Sequence, residues 1–152
     1  MTITFCGHAS FVARKEYEER MMSILEELIG DGAAELYLGG YGGFDDFAYA
    51  CAHKYKKINP KVELIYVTPY ITEQFQKTHL EEKAEKYDKI IYPAIENLPL
   101  RFAIVYRNRY MVDVSEHLIC YIKHEWGGAY KAYSYARRKG KSIINLCTDG
   151  GY

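Results

Sequence analysis

The chain has 152 residues, 49% hydrophobic and 26% charged, which is the make-up of one globular domain and excludes a disordered, collagen-like or membrane-spanning chain. At this length roughly 70% of the unfolded surface is buried on folding, so one core suffices without disulfide or metal staples. Twenty Lys/Arg against twenty Asp/Glu leave no overall field for a polyanion, and duplex nucleic acid is not an expected partner.

Ile3 to Cys6 is a short apolar run ended by Gly7-His8, the pattern of a buried strand. A helix is predicted from Lys15 to Ile29, with Tyr17, Met21, Leu25, Leu28 and Ile29 on one face and Gly30-Asp31-Gly32 as its stop. Ala34 to Leu38 reads as a second strand. It runs into Gly39-Gly40-Tyr41-Gly42-Gly43, after which Phe44, Phe47, Ala48, Cys51 and Tyr55 recur at helical spacing. Val62 to Val67 is a strand stopped near Pro69, Glu73 to Tyr87 a polar helix, and Ile90-Ile91-Tyr92 a further strand. Leu100 to Val112 reads as a helix whose Ala103 to Tyr106 stretch also suits a strand. His117 to Ile122 is a strand, Gly128 to Lys139 a helix closed by Gly140, and Ser142 to Leu146 the last strand.

Strands alternating with helices imply parallel pairing, because parallel neighbours need helical crossovers. The expected fold is a doubly wound, mostly parallel α/β sheet with helices on both faces, Rossmann-like, in one domain over residues 1–152. Ligands of such sheets bind beyond the carboxyl ends of the strands, where the strand order reverses.

Residues 1–76 carry seven Lys/Arg and eleven Asp/Glu, and the remainder thirteen and nine, so a local anion site is expected to draw on the second half. Cys6, Cys51, Cys120 and Cys147 are scattered among apolar segments and read as reduced core thiols. No basic region precedes the first apolar run, and no apolar stretch approaches the ~20 residues of a membrane span; a cytoplasmic location is expected.

The Gly39–Gly43 turn stands between a strand and a helix, where glycine lets a ligand approach the backbone and the helix start offers unpaired N–H groups to an anion. Trp126-Gly127-Gly128-Ala129 repeats the arrangement, with Trp126 either stacking on a base or serving as a packing or interface residue, and Gly7-His8 is a third turn of this kind. Each turn equally suits plain chain reversal. Asp45, in the first turn of its helix, is either a cap or the acceptor of a ribose hydroxyl. Arg107-Asn108-Arg109 supplies two cations and an amide for a phosphate, or a solvated face, while Arg137-Arg138-Lys139 at a helix end reads as structural. No Cys/His cluster at metal-ligand spacing accompanies His8, so neither metal nor cofactor is expected.

Phe5-Cys6-Gly7-His8, Gly39 to Asp45, Arg107 to Ser115 and Gly127-Gly128-Ala129 with Tyr135 to Lys141 together resemble the SLOG superfamily, the Rossmann-like group that includes the Lonely Guy phosphoribohydrolases and the DNA-processing-A proteins. The resemblance is to its small bacterial branch. It implies a nucleotide-derived ligand over the turns at Gly39–Gly43 and Gly127–Gly128, with Gly7, Asp45, Arg107, Asn108, Arg109, Asp113 and Ser115 lining or supporting the pocket. Self-association, a dimer foremost, follows by the same analogy.

Two functions compete on these residues, beside a third class, an interaction module without ligand. One is a domain that binds or senses a nucleotide-like small molecule; the other is an enzyme that cleaves an N-glycosidic bond, in which Asp45 is the first carboxylate to examine. No catalytic set is legible.

Overall fold

The computed structural model of the chain describes residues 1–69, 80–93 and 99–148. In chain order the elements are β1 (Thr2–Gly7), α1 (Lys15–Ile29), β2 (Ala34–Leu38), α2 (Gly43–Ile58), β3 (Val62–Val67), α3 (Leu80–Lys86), β4 (Lys89–Ile91), α4 (Leu100–Asp113), β5 (His117–Tyr121), α5 (Gly128–Arg138) and β6 (Ser142–Asn145). The ambiguous Ala103–Tyr106 stretch is helical, because it continues a helix whose inward side packs Ala103, Met111 and Val112. Of the polar helix expected from Glu73, positions 73–79 lie outside the described residues.

The six strands form one sheet in the order β4-β3-β2-β1-β5-β6, and every neighbouring pair is parallel. Alternation along each strand sends side chains to two layers. Ile3 and Phe5 of β1, Leu36 and Leu38 of β2, and Val62 and Leu64 of β3 meet Met21 and Leu25 of α1 and Phe44, Ala48 and Tyr55 of α2. On the opposite face Leu118, Cys120 and Ile122 pack with Val112 of α4 and Tyr133 and Ala136 of α5, and Tyr37, Ile65 and Val67 pack with Met111. The expected doubly wound α/β sheet is thus present, with every pairing parallel. Each large apolar side chain withdrawn from water in these layers contributes about 1.5–3 kcal/mol before entropy is charged against it.

The order places the functional end of the sheet. Strands β2, β3 and β4 step away from β1 on one side, and β5 and β6 lie on the other. The chain therefore leaves β1 toward the α1–α2 layer and leaves β5 toward the α4–α5 layer, although the two strands are paired from Ile3–His117 to Gly7–Tyr121. Diverging connections open a crevice at their carboxyl ends.

Candidate functional site

A cavity of about 400 Å³ occupies that crevice, bounded by Cys6, Gly7 and His8 at the end of β1, Tyr41 and Asp45 at the start of α2, Arg107 and Asn108 of α4, and His124, Trp126, Gly127 and Gly128 at the start of α5.

The two glycine-rich turns have the same backbone and opposite surroundings. Gly42 (φ 94°, ψ 175°) and Gly127 (φ 94°, ψ 174°) precede α2 and α5, and neither helix has a side-chain cap. At α2 the chain covers the helix start itself: the Gly43 N–H donates to the Ala9 carbonyl at 2.9 Å. A Cβ on Gly43 would lie 2.3 Å from the Phe11 carbonyl oxygen, and one on Gly42 would lie 2.8 Å from Ala9 Cα. At α5, a Cβ on Gly127 or Gly128 would meet nothing within 4 Å.

The expected phosphate grip at Gly39–Gly43 therefore needs correction. Those glycines let the Ala9–Phe11 segment, Arg107 and the Tyr66 ring pack onto the backbone, whereas the open helix start, with its partial positive charge and uncapped N–H groups, is the one at Gly127–Gly128. Gly7 is also a packing glycine: a Cβ there would sit 2.2 Å from Phe44 Cγ, although the residue lines the cavity.

Asp45 is half-buried at the cavity wall and accepts the Tyr41 N–H at 2.9 Å through Oδ2. Burial pushes its carboxyl up to about 6; the Tyr41 amide and the Arg107 guanidinium offset part of that rise, and Asp46 adds to it. It exchanges its proton near neutrality, the range in which a carboxylate serves as general acid or base.

Arg107 is buried, and its donors are spent on the protein. Its Nη1 donates to the Gly39 carbonyl at 2.9 Å and the Val67 carbonyl at 3.0 Å, and Nε donates to Asn108 Oδ1 at 2.9 Å. The fork ties α4 to the ends of β2 and β3 and turns the Asn108 amide to the cavity rim, so these contacts make it a strut.

His8 holds the opposite wall. Its Nε2 accepts the backbone N–H groups of Lys123 (2.9 Å) and His124 (3.3 Å), which puts the proton of the neutral ring on Nδ1. Burial and the nearby His124 lower its pKa from the ordinary 6.5. The ring stacks on His124 at 3.6 Å, and His124 stacks on Trp126 at 3.7 Å. Trp126 ends this three-ring column with one face on His124 and 69% of its surface exposed. Composition and spacing did not single out His124. Its Nδ1 is buried without a hydrogen-bond partner among the described residues, and its only signal in the sequence was its place in the loop between β5 and α5.

The remaining expected site residues separate. Tyr41 is exposed at the cavity mouth. Arg109 is exposed and stands 5.2 Å over the Tyr135 ring. Asp113 and Ser115 do not reach the cavity and are corrected as site residues. α4 runs from the carboxyl to the amino end of the sheet, so its last turn lies beside the start of β5; there Asp113 accepts the Tyr135 hydroxyl at 2.7 Å, and Ser115 Oγ donates to the Met111 carbonyl at 2.7 Å. Among the described residues no group of three or more His, Cys, Asp or Glu is placed to hold a metal ion, and no helix is long and apolar enough to cross a membrane.

No family model matches the chain. It is 26% identical over 137 residues to an uncharacterised SPbeta prophage-derived protein of Bacillus subtilis (strain 168), YoqJ, with 80% of each chain covered. Among solved structures, DNA processing protein A of Helicobacter pylori, whose single-stranded DNA binding mode has been described, superposes on 94% of this chain with a TM-score of 0.64 at 18% identity. The present chain spans 63% of that one. The chain therefore shares the Rossmann-like fold of the part of DNA processing protein A that it spans. The expectation that set nucleic acid aside is corrected by this finding, since a protein of this fold binds single-stranded DNA; net charge was the wrong quantity to judge by, because contacts depend on where charges stand.

Proposed function

We propose that the chain binds the phosphate of a nucleotide unit, free or within a single strand, at the start of α5. The observation that carries this reading is the contrast between two helix starts of identical backbone, one filled by the chain's own Ala9–Phe11 segment and one open onto a 400 Å³ cavity. Helix N-termini attract phosphate through free N–H groups and the macrodipole. The Asn108 side chain supplies a polar contact at the same opening, and Trp126 presents a flat apolar face. The single-stranded DNA binding of the structural neighbour is in keeping with this chemistry.

Isothermal titration with 5′-nucleoside monophosphates and short 5′-phosphorylated oligodeoxynucleotides tests it. Saturable binding is expected, and Gly128→Ala, which places a methyl where the phosphate approaches, should weaken it about tenfold with the fold intact. Absence of binding to every member of both series, or a Gly128→Ala variant that binds like the parent, overturns the reading.

A second reading rests on Asp45, a cavity-wall carboxyl near pKa 6, which suits hydrolysis of the N-glycosidic bond of a bound nucleotide. Free base released from a nucleoside monophosphate by the parent and not by Asp45→Asn supports it. Intact nucleotide after prolonged incubation removes it.

A further inference from the structure

Beyond the α5 start a second depression of about 310 Å³ runs between α4 and α5 and shares Ile104, Asn108 and Gly128 with the first cavity. Its charged lining is Arg109 from α4 and Lys131 and Arg138 from α5. Arg109 and Arg138 stand 5.2 and 5.9 Å from the centre of the Tyr135 ring, whose hydroxyl is anchored on Asp113. The same ring thus has both guanidinium groups, and the Lys139 ammonium at 5.4 Å, within cation–π distance. None of the three cations forms an ion pair among the described residues.

The charge is segregated across the sheet. Helices α4 and α5 carry six Lys/Arg and one carboxylate, Asp113, whereas α1 and α2 on the other face carry seven carboxylates against five cations. Like charges gathered without ion-pair partners are relieved by a polyanion.

Resting on the reading of the α5 start, the geometry points to a second anion subsite in this groove: the ligand is a single-stranded oligonucleotide whose terminal phosphate sits at Gly128 and whose following phosphates lie on Arg109, Lys131 and Arg138. A cationic groove with flat aromatic surfaces beside it is the recurring design for single strands, and Trp126 and Tyr130 border the two depressions. Packed helix axes lie ~8–10 Å apart, so the groove between them takes one strand and not a duplex.

Fluorescence anisotropy with 5′-phosphorylated oligothymidylates of one, two, four and eight nucleotides, read against the Lys131→Glu/Arg138→Glu double variant, tests this. Affinity is expected to rise at least tenfold from one nucleotide to eight in the parent. The double variant, with Arg109→Gln as a milder companion, should lose that gain and still bind the mononucleotide. Mononucleotide binding without a gain in length overturns the groove and leaves the α5 reading standing; no binding at any length, or an α5 start insensitive to Gly128→Ala, overturns both. A duplex that binds as tightly as the strand, or inorganic polyphosphate that displaces the strand at equal phosphate concentration, also overturns it.

Discussion

Single residues show how little a glycine's identity says about its use. Gly7 and Gly128 both line the cavity, but a methyl on Gly7 runs into the buried Phe44 ring while one on Gly128 enters open space. Gly7→Ala is therefore expected to cost about 1–3 kcal/mol through overpacking, and Gly128→Ala to leave the denaturation midpoint unchanged or slightly raised; urea unfolding of the two variants checks this. Asp45 carries a pH effect of definite sign. Its proton is held up to about pH 6 in the folded chain against 3.8 for the ordinary carboxyl, so its contribution to folding is greatest below 3.8 and is lost as pH rises through 6. An anionic ligand meets the neutral form below that value. Asp45→Asn should bind nucleotide severalfold more tightly at pH 7.5 and no differently at pH 5 when both are measured by calorimetry. His8 runs the other way. Its lowered pKa means that stability is present above about 6.5 and falls as the ring gains a proton, which also removes the acceptor for the Lys123 and His124 amides. Trp126 is the only tryptophan, so its emission should change in a step below pH 6.5 that His8→Gln abolishes.

At the scale of elements, α4 is the piece that joins site to scaffold. Arg107, read from the sequence as a phosphate cation, instead fastens this helix to the carbonyl ends of β2 and β3. Lysine cannot reproduce a fork that serves two carbonyls and an amide. Arg107→Lys is expected to lower stability by about 2–3 kcal/mol, because buried carbonyls lose their donor, and to loosen the Gly39–Asp45 turn; a shift of the denaturation midpoint, with slower chymotryptic cleavage at Tyr41 in the parent than in the variant, checks both. The helices and strands themselves were legible: α1, β2 and β3 run as periodicity and stop signals predict. Their use was less so. Periodicity marks a helix and its inward side, but it carries nothing about which later segment will cover its first turn, and the contact between Ala9–Phe11 and α2 joins positions more than thirty residues apart in the chain.

For the whole molecule, zero net charge conceals an acidic α1 face and a basic α4–α5 face. Binding of a strand by Arg109, Lys131 and Arg138 releases counterions, so the logarithm of affinity should fall with the logarithm of salt concentration with a slope of about −2, at ~0.7 per single-strand phosphate. A slope near zero between 50 and 200 mM salt, measured by anisotropy, would contradict that arrangement. Alternating apolar runs and amphipathic helices were enough to settle the α/β class and the parallel sheet, since each is a local pattern that only a two-faced sheet can bury. The cavity's walls, the closing of one glycine turn and the opening of the other, the strut made by Arg107 and the His8–His124–Trp126 column were decided by tertiary structure alone. They depend on distances between segments far apart in the chain, and those distances exist only once β1 and β5 lie side by side with their connections turned to opposite faces.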